Sequence, residues 1–217
     1  MMRLVCWELA KLRGSLALLF ALVTPGLTAL LVLLALIAHR ASPSWASVIG
    51  QFIMPLWAKF LLPMAVATFC TLVAQVEHRA KSWDHVLTQP FARWRIFLAK
   101  LVVVAATVAG MTVLVFVYAY GVAWAGGTIL GIAPRGDPQF ADVARTAMRL
   151  LASASAIVAI QFWVAMRFAN FVVPLAVGIA GTLVGLAVLM TGTDKAAWVP
   201  WVITLRSVGA QGDPQDA

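Results

Sequence analysis

The stretch EHRAKSWDHVLTQPFARWRIFLAK (residues 77–100) is the most polar part of a chain otherwise built from long apolar runs. It holds five of the sixteen Lys and Arg residues, two of the eight acids and two of the three histidines, with Trp83, Trp94 and a central Pro90. On its two sides, residues 48–76 and 97–124 are almost free of charge. Segments of that length and composition are long enough to cross a hydrocarbon core of ~30 Å as helices. The polar stretch therefore reads as a hairpin between two membrane spans, and the rest of the fold follows by counting outward from it.

The composition agrees. Hydrophobic residues make up 63% of the chain and charged residues 11%, with a mean hydropathy of +0.95. A soluble domain is nearer ~45–50% apolar and ~25% charged, so the bilayer is the expected solvent. Three further runs, residues 15–38, 146–166 and 171–190, bring the expected spans to five. The chain opens with basic residues and an apolar run, as a signal peptide does. That run continues to Ile37 with no small-residue cleavage site after it, which favours a retained first span. Pro25, Pro55 and Pro63 fall inside spans, where neighbouring helices re-satisfy freed backbone groups. Residues 196–205 (AAWVPWVITL) are apolar but only half a bilayer long. With Pro200 in their middle, they are expected to lie at the interface, anchored by Trp198 and Trp201. The fold class expected is an all-α polytopic membrane protein, one domain over residues 1–217, with five full spans and a short C-terminal apolar segment.

Before the first span, residues 1–14 read as an amphipathic helix in the interface, with Leu4, Trp7 and Leu12 on its apolar face and Glu8 and Lys11 on its polar one. Nine Lys and Arg residues fall on the side of the N-terminus and the hairpin and six on the other. Together with the dense clusters beside span ends, this places the N-terminus and the hairpin in the cytoplasm. Residues 125–145 are then an outer loop, and Arg145 and Arg149, four apart, share the face of a first helical turn.

The chemistry that is missing is as informative. No G-x-x-x-x-G-K-[ST] phosphate cradle, HExxH or GxSxG motif occurs, so no nucleotide, metal or nucleophilic-serine chemistry is legible. Cys6 and Cys70 have no ligand or disulfide spacing, and His39, His78 and His85 read as isolated, solvated loop histidines. No catalytic, cofactor-binding or metal site is expected, and the net charge of +8 fits positive-inside loops, with no nucleic-acid partner implied. The one ion in the middle of a span is Lys59, which either snorkels along its own stem or lines a polar path.

Within the hairpin, Trp83, Val86 and Leu87 have helical spacing, Pro90 ends that short helix, and Arg93, Arg95 and Lys100 flank the start of the next span. The order Glu77, Trp83, Leu87 to Pro90, then Arg93 to Lys100 resembles the stretch after the second span in ABC-2 type transporter permeases. The lantibiotic-immunity and bacitracin-resistance branch resembles it most. The opening ELAKLRGS (residues 8–15) is similar to that family's Glu-x-x-Lys start, and residues 167–185 and WVPW (residues 198–201) are similar to its last third. The resemblance implies a permease of the bacterial inner membrane that exports an antimicrobial peptide or other amphipathic compound. It implies a separate ABC ATPase subunit that binds the ATP, so the permease itself needs no cofactor and is not an enzyme. A second permease chain, alike or different, would complete the path. The hairpin would be the coupling helix, with Glu77, Trp83, Asp84, Leu87, Pro90 and Arg93 at the ATPase contact. Two other readings of the same features remain: a non-transporting scaffold or sensor partner, and a haem-exporter-type permease. Relatives finish with a sixth span, where this chain has only its short apolar segment.

Overall fold

A computed structural model describes residues 1–39, 44–80, 88, 91–131, 134–192 and 195–209. Among the described residues the helices are, in chain order, α1 (Met2–Leu12), α2 (Leu16–His39), α3 (Trp45–Ala80), α4 (Arg93–Leu130), α5 (Phe140–Arg167), α6 (Val172–Thr191) and α7 (Pro200–Gly209). Five of them, α2 to α6, are long and apolar enough to cross a membrane. The chain is an all-α polytopic membrane protein, as the hydropathy pattern requires.

The spans overrun the apolar runs that mark them. α4 has 38 residues, about 57 Å of helix at 1.5 Å per residue, against a hydrocarbon core of ~30 Å. Its surplus absorbs residues 125–130 of the expected outer loop, and α5 absorbs residues 140–145. Nine residues, 131–139, remain between the two helices. Tyr120 donates its hydroxyl to the Pro138 carbonyl at 2.6 Å and stacks between Trp45 and Phe140, with ring centroids 4.7 and 4.9 Å away. This aromatic clasp joins the start of α3, the body of α4 and the start of α5 at one end of the bundle. Lys100 marks the other end. The roughly twenty uncharged residues between Lys100 and Tyr120 span about 30 Å, one hydrocarbon thickness.

α3 is central, packing on α2, α4, α5 and α6. It contains two π-helical stretches, Val48–Ile53 and Trp57–Leu61, each shortly before a proline, Pro55 and Pro63. A proline removes one backbone donor and pushes against the carbonyl four residues earlier. A wider turn at that point relieves the clash and keeps the helix continuous. α2 likewise runs unbroken through Pro25, and Thr24 Oγ1 donates to the Phe20 carbonyl beside it at 2.9 Å.

The C-terminal segment is a helix packed on the bundle. Pro200 sits at the first residue of α7, where its missing N–H costs nothing, and does not break the helix. α7 packs on α5 and α6 with Val202 and Leu205 buried. Trp201 is buried as well, while Trp198 stays exposed. Close approach along α6 makes this possible. A Cβ on Gly181 would fall 2.3 Å from the Trp201 ring, and one on Gly178 would fall 2.3 Å from Ala67 Cβ in α3. Buried Gln161 of α5 completes the seam. Its amide nitrogen donates to the Pro174 carbonyl at 3.1 Å, and its oxygen accepts from the Gly178 N–H at 3.0 Å.

Gly178→Ala is expected to destabilise the bundle by about 1–3 kcal/mol through overpacking. Gly110→Ala, with nothing within 4 Å of its added methyl, should be neutral or slightly stabilising. Thermal unfolding of both variants in detergent checks the contrast; equal shifts would contradict the close α3–α6 seam.

Candidate functional site

Four charged side chains converge where the hairpin joins the bundle. Lys11 Nζ donates to Glu8 Oε1 at 2.9 Å and to Glu77 Oε1 at 2.8 Å. Lys100 Nζ donates to Glu8 Oε2 and to Glu77 Oε1, both at 2.6 Å. The four groups form a closed ring of alternating sign with no net charge. It ties α1 to the end of α3 and the beginning of α4.

The local sequence explains how each residue arrives. Glu8 and Lys11 are three apart on α1 and therefore on one helical face. Glu77 lies three residues before the end of α3, and Lys100 two turns into α4. These two are the first and last residues of the hairpin, so their bond pins its two roots together. The Lys100 and Glu77 side chains are 1% and 3% exposed, that of Glu8 11%, and that of Lys11 34%. Ions this buried are tolerated only when paired and hydrogen-bonded, and here each lysine reaches two carboxylate oxygens.

Burial pulls the Lys11 pKa down, but its hydrogen bonds to Glu77 and Glu8, and their charges, outweigh that and hold it above the ordinary lysine value. The sign follows from linkage: the stability Lys11 contributes is complete below its unfolded pKa, near ~10.4. It is lost only as the pH rises through the higher folded value. At neutral pH Lys11 is therefore a fixed cation of the ring.

α1 thus has one face on the bundle and one turned outward. Glu8 faces inward with Leu12, while Trp7 is 66% exposed. Glu77, one of the residues expected at the ATPase contact, is 2% exposed and paired within its own chain. The opposite flank of the same helix end is also tied. Gln75 Nε2 donates to the Ala169 carbonyl at 2.9 Å, and His78 Nε2 lies 3.2 Å from the Ala165 carbonyl. A carbonyl only accepts, so His78 carries its proton on Nε2 there. His78 is thus a structural link to the α5–α6 junction and not a solvated loop residue. The base of the hairpin is anchored on two sides.

Of the other expected contact residues, Arg93 is exposed at the first turn of α4, next to Trp94, over whose ring the Arg95 guanidinium sits at 5.3 Å. Trp83, Asp84, Leu87 and Pro90 lie outside the described residues. Lys59 is half-buried within the second π stretch and has no ion-pair partner among the described residues. The sequence offers Lys100 as a flanking positive charge, and Glu8 and Lys11 as a pair on one polar face and as the Glu-x-x-Lys start. The spacing of Glu8 and Lys11 gave their shared face but not its direction.

These features define a polytopic membrane protein whose polar hairpin is salt-bridged at its root. Comparison with known families then identifies the class. The chain belongs to the ABC-2 family transporter proteins, whose model matches residues 4–185, a range that includes all four members of the ring. No curated protein and no solved structure matches it. Family members are membrane components of ABC transporters, generally non-catalytic, and membership implies association with an ABC ATPase.

Lys100→Met would leave two buried carboxylates facing one partly exposed lysine, and breaking a buried pair in this way costs about 3–5 kcal/mol. Lys11→Met, at the more exposed corner, should cost distinctly less. The two unfolding temperatures in detergent test the order; a larger loss for Lys11→Met would contradict the burial pattern.

Proposed function

We propose that the chain is the membrane-spanning subunit of an ATP-driven exporter in the bacterial inner membrane, with its N-terminus and hairpin in the cytoplasm. A separate ATPase pair hydrolyses ATP and seats the hairpin in a cleft of each subunit, through Trp83, Asp84, Leu87, Pro90 and Arg93. Glu77 serves behind that contact as its anchor. The single observation that supports this most is the bond between Glu77 and Lys100 at the hairpin's two roots. This bond ties the end of α3 to the beginning of α4 at the hairpin's base. A displacement imposed on its tip passes into α3, α4 and, through Glu8 and Lys11, α1.

Two such chains, alike or different, enclose the path. The resemblance of residues 77–100 to the lantibiotic-immunity and bacitracin-resistance permeases supports an antimicrobial peptide or another amphipathic compound as cargo. Lys59, half-buried at mid-span without an acidic partner among the described residues, is the cation assigned to that path.

The combined Trp83→Arg and Leu87→Asp substitutions should abolish copurification of the ATPase subunit and its stimulation by the permease, because buried aromatic and aliphatic knobs carry most of a contact's energy. Copurification with undiminished stimulation would rule the hairpin out as the coupling element.

A further inference from the structure

The outward face of α1 is built for neither water nor the protein interior. Its acid, Glu8, is turned in, whereas Met2 is 83% and Trp7 66% exposed, with Cys6 and Leu9 exposed beside them. Between this face and Phe91, just before α4, lies a groove of about 640 Å³, lined by Met2, Arg3, Leu4, Cys6, Trp7 and Phe91. Among the described residues, five of the six lining side chains are apolar and the remaining one is a cation.

The groove's height in the bundle follows from the ring. Glu8 of α1 meets Lys100, and no charged residue follows Lys100 in the remainder of α4. α1 therefore lies where hydrocarbon gives way to headgroups. The charge there is one-sided. Glu8 is the only acid in α1 and is consumed by the ring, so nothing on the helix offsets Arg3 or Arg13. Arg93 and Arg95 are exposed close to Phe91. An apolar trough at interfacial height, whose guanidinium has no acidic partner among the described residues, has the complementarity of a lipid that carries a negative headgroup.

We propose that this groove binds an anionic phospholipid of the adjacent leaflet. An acyl chain lies along Met2, Cys6, Trp7 and Phe91, and the phosphate rests on Arg3. The occupant is a membrane lipid, since a free phosphate would leave the apolar walls uncovered. The site stands independently of the transport reading and needs no ATPase.

The protein carries its own reporter. Cys6 lines the groove, and the other cysteine, Cys70, is buried. The full chain is placed in nanodiscs of phosphatidylcholine, with or without phosphatidylglycerol, and labelled with an uncharged maleimide. Phosphatidylglycerol should slow modification of Cys6 roughly fivefold, the worth of one cation near an anionic surface. Arg3→Gln should abolish that difference while Cys70 stays unreactive, showing that the fold is intact. Equal rates in the two lipids, or slowing that persists in Arg3→Gln, would overturn the assignment. So would slowing by glycerol phosphate alone, which marks a free-anion site, or protection only on adding the ATPase subunit, which marks a protein dock.

Discussion

The structure depends on one arrangement of charge: two carboxylates and two ammonium groups closed into a ring with Lys100 and Glu77 almost wholly out of solvent. Isolated, either ion would be prohibitively costly at that depth, and the pair alone would leave carboxylate valences unmet. Four together satisfy one another. This lets a polar hairpin be rooted directly in an apolar bundle. It also fixes α1, an eleven-residue helix too short to be stable alone in water. Its helicity has to come from what it is attached to.

The ring also defines the base of α3 as a junction. On one flank Glu77 binds α4 and α1; on the other, Gln75 and His78 bind the carbonyls at the α5–α6 turn. At the far end of the span, the Trp45–Tyr120–Phe140 clasp joins α3, α4 and α5 again. Between these two fixed ends, α3 has its π turns around Pro55 and Pro63. The helix is thus held at its ends and irregular between them, where irregular backbone bonding permits adjustment.

What the sequence revealed and what it hid divide along physical lines. The five spans were legible because burial in hydrocarbon demands long runs of apolar residues whatever they pack against. The hairpin was legible because it violates that demand. Residues 8 and 11 were legible as a pair, but periodicity reports only that they share a face. A polar face turned to headgroups and one turned to a buried counter-ion give the same pattern, so the burial of Glu8 against Lys100 was not legible. The pairing of Glu77 and Lys100 with each other and with α1 was not legible, because these partners are distant in sequence. Pro200 was read as a breaker because a first-turn proline and a mid-helix proline look alike until the helix start is known. The close seam at Gly178 and Ala67 left no signal beyond the glycine itself.

The account is tested most directly by amide hydrogen exchange across α1 in the wild-type chain and in Glu8→Gln, both in nanodiscs. If the ring holds the helix in place, the α1 amides are protected in the wild type. In the variant they exchange faster, together with those at the start of α4, while α5 and α6 keep their protection. Unchanged α1 protection in Glu8→Gln would contradict it, because the helix would then be held by something other than the ring.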